Sequence, residues 1–139
     1  MKKILVTGAS GFIGSFIVEE ALAKGMEVWA GIRKSSSKQF LQDKRINFIE
    51  LNLNSPTELR KQLSDISFDY VVHAAGVTKC LNKADFYRVN TEGTRNLVTT
   101  LIELKMPIER FVFLSSLSIF VAIREKQPYE PIQETDTPH

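Results

Sequence analysis

Three glycines with the spacing G-x-x-G-x-x-G, at Gly8, Gly11 and Gly14, lie between an apolar run and an amphipathic run near the start of the chain. The apolar run at residues 4–6 has the length of a short buried strand, and residues 12–24 have the wide apolar face of a helix. A strand that passes directly into a helix through such glycines is a strong constraint on the fold, because the backbone must turn sharply and pack closely in the same place.

Each of these glycines has a separate predicted role. Gly8 lets the strand turn sharply, Gly11 lets the backbone approach a pyrophosphate, and Gly14 lets the helix pack tightly on the sheet. The first amide groups of a helix lack internal partners and lie at the positive end of its dipole, so they favour an anion such as a pyrophosphate. The alternative is a strand–helix turn that binds no ligand. The agreement of strand, spacing and helix disfavours it.

The composition excludes several other classes of protein. The 139 residues include 43% hydrophobic and 24% charged residues, which is typical of one globular domain. A net charge of +2 without a long basic run does not favour nucleic-acid binding. The sequence contains no G-x-x-x-x-G-K-[ST] pattern, which disfavours a P-loop hydrolase, and its scattered soft ligands do not favour a metal site.

The location of the protein is predicted from its cysteine content and its hydropathy. No apolar run is long enough to span a membrane, so we expect no membrane partner. The single cysteine, Cys80, allows no internal disulfide, which fits a reducing compartment. We therefore expect a cytoplasmic protein.

Strands and helices alternate along the chain, which favours a parallel sheet with helices on both faces. The predicted strands are residues 3–7, 27–32, 46–51, 68–74 and 111–114, and the predicted helices are residues 12–24, 56–64 and 83–105. A short helical turn is expected at residues 38–43. Ser55, Pro56 and Glu58 resemble a capping box at the start of the second helix. Apolar periodicity is lost near the end, so we expect one domain at 1–122 and an irregular tail at 123–139.

The end of the second predicted strand lacks the acid that holds a ribose 2′-hydroxyl in the NAD version of this arrangement. No acid occurs from Val28 through Gln42, and Arg33 and Lys34 stand there beside a run of serines. A guanidinium and an ammonium suit the negative charge of a 2′-phosphate. This pattern favours NADP as the cofactor, with NAD as the second choice, although a solvated loop would have the same composition.

The sequence resembles the extended short-chain dehydrogenase/reductase family, also called the NAD(P)-dependent epimerase/dehydratase family. The matching segments follow the order of the family along nearly the whole chain. They are TGASGFIG at 7–14, NL at 52–53, HAAG at 73–76, NTEGTRNL at 90–97 and FLSS at 113–116. The resemblance implies an α/β fold, a Rossmann-type doubly wound parallel sheet of about five strands in the order 3-2-1-4-5.

The resemblance also implies which residues hold the cofactor. The residues that match the pyrophosphate loop of the family are Gly8, Ser10, Gly11, Phe12 and Ile13. The small residues that match the lining of its ribose and phosphate track are Ala74, Ala75 and Gly76. Leu53 matches the apolar residue under the adenine, and Asn90 matches an asparagine near the nicotinamide. Asn52 stands where the family usually has an Asp that accepts from the adenine amino group, and its amide oxygen can still accept that hydrogen bond.

Ser116 matches the catalytic Ser or Thr of the family, which hydrogen-bonds a hydroxyl or carbonyl oxygen of the substrate. The acid/base pair of the family, Tyr-x-x-x-Lys, is absent, because no tyrosine in the chain is followed four residues later by lysine. We therefore expect the cofactor-binding part of a longer epimerase, dehydratase or reductase, with a small-molecule substrate such as a nucleotide sugar and little turnover by itself. The alternative is a non-catalytic dinucleotide-binding sensor or scaffold. His73 is expected to be a satisfied strand histidine rather than a catalyst.

The fifth strand is expected to lie at an open edge of the sheet. Its residues 111–114 are all apolar, and open apolar edges favour pairing with another chain. We therefore expect the protein to self-associate through this edge.

Overall fold

The computed structural model describes residues 1–120 and 131–138. Within these ranges, parallel strands form a five-stranded sheet in the order β3-β2-β1-β4-β5. The strands are β1 (Lys3–Thr7), β2 (Glu27–Ile32), β3 (Asn47–Glu50), β4 (Tyr70–His73) and β5 (Arg110–Phe113). The predicted fold class and strand order are therefore confirmed.

Helical segments connect these strands. They are α1 (Phe12–Ala23), α2 (Pro56–Leu63), α3 (Lys83–Phe86) and α4 (Gly93–Glu103), together with a 3-10 turn at Leu117–Ile119. A π-helical segment, Tyr87–Glu92, joins α3 to α4, so the long helix predicted here is present but not uniformly α-helical. Segments of this kind occur often at functional sites. In the described part of the chain, every helix is too short or too polar to cross a membrane.

The core consists of two layers, one on each face of the sheet. Successive side chains of β1 alternate between them, because strand side chains point to opposite faces. Ile4 and Val6 pack with α1 on one face, and Leu5 packs with α2 and α4 on the other. Each fully buried leucine contributes about 2 kcal/mol of hydrophobic free energy, so both layers hold the sheet in place.

Two local predictions differ from the structure in detail. Residues 38–43 contain a single turn, in which the Leu41 amide donates to the Lys38 carbonyl at 2.9 Å, and the predicted helical segment is not present. Burial of Leu41 against the α1 layer fixes this loop instead. Ser55 caps α2 as predicted, accepting from the Glu58 amide at 3.3 Å, but the reciprocal half of the capping box is not formed.

The predicted tail lies only in part within the described residues. Residues 131–138 form turns and irregular backbone, without a helix or strand. The predicted boundary between residues 122 and 123 lies outside the described residues, as does Tyr129, one of the tyrosines that no lysine follows four residues later. The division into a domain and a tail therefore stays a prediction.

The strand register brings the carboxyl ends of the strands to one edge of the sheet. Thr7 at the end of β1 pairs with Gly31 of β2 and with His73 of β4. His73 in turn pairs with Phe113 of β5. The loops that follow these residues therefore meet at the same edge. The chain order reverses beside β1, which is where open α/β sheets bind ligands.

Candidate functional site

A cavity of about 350 Å³ opens at the carboxyl ends of β1, β2 and β4. It contains residues from four separate segments that the sequence predicts to hold a cofactor. The predicted residues in its lining are Gly8, Ser10, Gly11, Arg33, Asn52, Leu53, Ala74, Ala75 and Gly76. The predicted residues outside its lining are Phe12, Ile13, Gly14, Lys34, Asn90 and Ser116.

The glycine turn is held by close backbone contacts. Gly8 has a φ of +68°, and a Cβ there would lie 2.7 Å from the backbone of Ala74 and Ala75. A Cβ at Gly14 would overlap the carbonyl oxygen of Gly8. Both glycines are therefore required by the packing of α1 against β1 and β4, which agrees with the sharp turn and the tight packing predicted for them.

Gly11 has more room than the other two glycines, and its own amide donates to the Gly8 carbonyl at 3.0 Å. It is the N-cap of α1, with extended backbone, and no side chain caps the helix there. The nearest atom to a Cβ at Gly11 would be the Gly8 oxygen, at 3.2 Å. The first amides of α1 are therefore available to an anion in the cavity. Phe12 and Ile13 are 77% and 51% exposed, so they would contact a pyrophosphate through their amides rather than their side chains.

The loop after β2 forms part of the cavity lining. Arg33 and Ser36 both line it, and the two residues bond each other: the Arg33 amide donates to Ser36 Oγ at 3.0 Å, and the Ser36 amide donates to the Arg33 carbonyl at 2.9 Å. The Arg33 guanidinium forms no ion pair within residues 1–120 and 131–138. Lys34 is exposed and lies outside the lining, so the structure separates these two cations.

The loop after β3 also lines the cavity, and its contacts suit an amide at Asn52 better than a carboxylate. Asn52 Nδ2 donates to Glu58 Oε2 at 3.0 Å, and Asn52 Oδ1 accepts from the Asn54 amide at 3.1 Å. An Asp would place a second carboxylate against Glu58. The Glu58 side chain bonds Asn52 instead of the Ser55 amide, which is why only half of the predicted capping box forms. The second lone pair of Asn52 Oδ1 remains available to a ligand.

His73 lies buried beneath the cavity and is 1% exposed. Its Nδ1 is 2.6 Å from Thr7 Oγ1, and its Nε2 is 2.9 Å from Thr94 Oγ1. Burial lowers the pKa of His73 from its ordinary value of 6.5 to about 4, so the ring is neutral at pH 7. These contacts agree with the interpretation of His73 as a satisfied strand histidine.

Comparison with known proteins identifies the family. The sequence model of the NAD dependent epimerase/dehydratase family matches residues 4–139. The chain belongs to this family. The epimerase/dehydratase resemblance inferred from the motifs is thereby confirmed.

The proteins that are similar to this chain differ in length. It is 30% identical to a UDP-glucose 4-epimerase of Klebsiella pneumoniae, covering 91% of this chain and 97% of the relative. It is 25% identical to the sterol-4-alpha-carboxylate 3-dehydrogenase, decarboxylating, of Dictyostelium discoideum, covering 96% of this chain and 43% of the relative. The solved UDP-glucose 4-epimerase of Thermus thermophilus, in complex with NAD, superposes with a TM-score of 0.78 at 26% identity, covering 99% of this chain and 44% of that one. The chain therefore spans less than half the length of the last two.

Two residues that the epimerase/dehydratase resemblance singles out lie beside the cavity rather than in its lining. Asn90 Oδ1 accepts from the Val77 amide at 2.8 Å, and its Nδ2 donates to the Val77 carbonyl at 3.0 Å. Asn90 thus holds the segment after β4. Ser116 is exposed at the start of the 3-10 turn, where its Oγ accepts from the Ser118 amide at 3.1 Å.

The sequence did not predict several of the residues that line this cavity. The missed residues that lie beside predicted ones include Ser36, Val77 and Val89. The run of serines after Arg33 was a signal for Ser36. Val77 and Val89 had no signal, because an apolar residue in a loop or a helix has the same pattern whether it contacts a ligand or the core.

Proposed function

We propose that this chain binds a nicotinamide dinucleotide in the cavity at the carboxyl ends of β1, β2 and β4. The observation that supports this most directly is the uncapped start of α1: Gly11 lines the cavity, and no side chain bonds the helix amides there. A pyrophosphate would accept hydrogen bonds from the amides of Phe12 and Ile13, because the Gly11 amide donates to the Gly8 carbonyl. The Thermus relative is a complex with NAD, which supports a cofactor of this type.

The remaining lining suits the adenosine end of the dinucleotide. The adenine would lie against Leu53 and donate from its amino group to Asn52 Oδ1. The small residues Ala74, Ala75 and Gly76 would leave room for the ribose and phosphates along the opposite side.

We propose NADP as the preferred cofactor. Arg33 lies in the lining with Ser36, and the loop from Val28 through Gln42 contains no acid to repel a phosphate. The guanidinium would form charge-assisted hydrogen bonds with a 2′-phosphate, and the Ser36 hydroxyl would add one more. Lys34 is outside the lining, so we assign it a smaller contribution.

A bound nicotinamide supplies hydride transfer, which fits a hydroxyl or carbonyl substrate such as a nucleotide sugar. The name of the Klebsiella relative, UDP-glucose 4-epimerase, supports this substrate class. Ser116 follows β5 at the same edge of the sheet as the cavity, where its hydroxyl would bond a substrate oxygen. These 139 residues contain no Tyr-x-x-x-Lys pair, so we propose that they hold the cofactor with little turnover by themselves. The same absence favours a non-catalytic sensor or scaffold as the second candidate.

We also propose self-association through β5, and a cytoplasmic location. The strand lies at one end of the sheet, and residues 111–114 are between 36% and 53% exposed. Within the described residues, no strand pairs with its outer edge. Cys80 is a free thiol, which suits a reducing compartment.

Calorimetric titration with NAD and NADP tests the proposed function. We expect the chain to bind both and to bind NADP more tightly. Gly11→Ala should abolish the binding of both dinucleotides, because the added Cβ would lie where the pyrophosphate approaches. Arg33→Ala should weaken NADP alone by about tenfold or more, as expected for hydrogen bonds to a charged group. Lys34→Ala, an adjacent cation outside the lining, is the matched control. A folded wild-type chain that binds neither dinucleotide would refute the proposal.

A further inference from the structure

Three residues from three different elements form a continuous set of hydrogen bonds beneath the cavity. They are Thr7 of β1, His73 of β4 and Thr94 of α4, and we call them the His73 network. His73 and Thr7 are each 1% exposed, and Thr94 is half-buried. The proposed binding of a dinucleotide assigns no role to any of the three.

The direction of each hydrogen bond follows from the protons available. The Thr94 hydroxyl has one proton, which it donates to the Asn90 carbonyl at 2.7 Å. Its oxygen must then accept from Nε2 of His73 at 2.9 Å, which places the ring proton on Nε2. Nδ1 is left as an acceptor and takes the hydroxyl proton of Thr7 at 2.6 Å.

Both ends of the network reach one side of the cavity, residues 75–77, which we call the cavity wall. At one end, Thr7 Oγ1 accepts from the Ala75 amide at 3.3 Å. At the other end, Asn90, whose carbonyl accepts from Thr94, holds the amide and carbonyl of Val77 at 2.8 and 3.0 Å. The cavity wall is therefore attached to β1 through Thr7 and to the π-helical segment through Asn90.

The surroundings of the ring favour the neutral form. The groups packed against it are the two threonine hydroxyls and the rings of Phe111 and Phe113, whose centroids lie 6.4 and 5.8 Å from that of His73. No charged side chain bonds the ring within the described residues. If the proton moved to Nδ1, Nε2 would need a proton from Thr94, and Thr94 would release Asn90.

We propose that the His73 network is a positioning device: it fixes His73 as the neutral Nε2–H tautomer and thereby holds the cavity wall in place for the dinucleotide. Thr7, His73 and Thr94 are positioning residues in this proposal, since they act through the backbone of residues 75–77. The proposal rests on the proposed function for its ligand, but the tautomer can be tested without any ligand.

The first experiment is a long-range ¹H–¹⁵N correlation spectrum of the full chain at pH 7, with ¹⁵N-labelled histidine. We expect His73 to show a protonated-type Nε2 and an unprotonated-type Nδ1 as a single tautomer. A protonated Nδ1, a mixture of tautomers or an imidazolium would overturn the proposal. His73→Gln identifies its resonances.

The second experiment measures dinucleotide affinity of folded variants by calorimetry. Thr94→Val removes the hydroxyl that joins His73 to Asn90, and we expect about tenfold weaker binding, which corresponds to about one hydrogen bond. The matched control is Thr100→Val on the same helix, because Thr100 is 1% exposed and its hydroxyl has no partner within the described residues. We expect the control to bind as the wild type does.

Thr94→Val should also change the tautomer spectrum of His73. A loss of affinity that came only from weaker packing would leave that spectrum unchanged. If Thr94→Val does not fold, Thr7→Val takes its place, since it removes the opposite end of the network. Because Thr7 also lines the cavity, the tautomer spectrum of His73 rather than the affinity is the measurement for that variant. Equal affinity in Thr94→Val and Thr100→Val would overturn the positioning role. If the wild type binds neither dinucleotide, the proposed function fails. The tautomer result still decides whether the hydrogen bonds of the His73 network have the directions described above.

Discussion

The carbonyl oxygen of Gly8 occupies the position that a Cβ at Gly14 would take. Gly8 follows the first strand with a left-handed φ of +68°, and Gly14 lies in the first turn of α1. This contact presses the start of α1 against the end of β1. The uncapped start of α1 at Gly11 lies in the cavity lining as a consequence, so the geometry of the site depends on a close contact between two other glycines.

We expect Gly14→Ala to lower the free energy of unfolding by about 3 kcal/mol, because the overlapping atom is backbone and the helix must shift. Urea denaturation measures the effect. Gly25→Ala is the control: a Cβ there meets nothing within 4 Å, but φ is +72°. The cost at Gly25 should therefore be about 1 kcal/mol, which is typical of a left-handed residue that gains a Cβ. Equal losses in the two variants would contradict this explanation of Gly14.

Asn52→Asp should lower the free energy of unfolding by about 1 kcal/mol at pH 7, because it replaces a hydrogen bond to Glu58 with a like-charge contact. Thermal unfolding measures the change. The double variant Asn52→Asp, Glu58→Gln is the control, since the Gln amide can donate to the new carboxylate. We expect it to recover most of the loss. If Asn52→Asp leaves the free energy of unfolding unchanged, the contact with Glu58 does not favour an amide at this position.

Burial of His73 should make the protein less stable at acidic pH. The pKa of the ring is about 4 in the folded state and 6.5 when it is exposed, so the unfolded chain binds a proton first as the pH falls. The contribution of the ring to stability is complete above pH 6.5 and is lost between pH 6.5 and 4. The loss should be on the order of 3 kcal/mol. Urea denaturation across this range measures it.

The matched variant for the pH experiment is His73→Gln, which keeps a donor for Thr94 but has no proton to bind. The carboxyls of Asp43 and Asp69, whose pKa values are lowered by hydrogen bonds from Arg45 and from Lys3, contribute equally in the two proteins. The difference between wild type and variant therefore isolates the ring. Parallel pH profiles for the two proteins would show that His73 is not the titrating group.

Val112→Lys should reduce self-association, since a charge on an open edge strand opposes pairing with another strand. Val112 is 44% exposed in β5. Light scattering over a range of concentrations measures the mass. Phe40→Lys is the control, because Phe40 is 58% exposed in a loop outside this strand. A wild-type chain that keeps the mass of one chain at high concentration would refute association through β5.

Much of the fold was predictable because its determinants are local. The apolar run before Gly8 and the periodic face after Gly14 belong to one short segment, and each constrains its own backbone. Ser55 capped its helix for the same reason. The π-helical segment around Asn90 was not predictable, since its hydrogen bonds have no distinct sequence pattern.

The candidate site was predictable only in part. Small residues and glycines marked its backbone, and most of the marked positions lie in the cavity lining. Sequence alone could not show that Arg33 lines the cavity and Lys34 does not, because the folded loop decides which of two adjacent residues reaches the cavity. It placed Asn90 near the nicotinamide, which stays a prediction, and it could not show the two hydrogen bonds between the Asn90 side chain and the backbone of Val77.

The sequence by itself determined the order of strands and helices, the turn through Gly8 and Gly11, and the family to which the chain belongs. Only the tertiary structure decided that His73 of β4 joins Thr7 of β1 to Thr94 of α4. The physical reason is the parallel crossover. It brings residues that are far apart in the chain to hydrogen-bond distance, and no local pattern of residues records which side chains will meet.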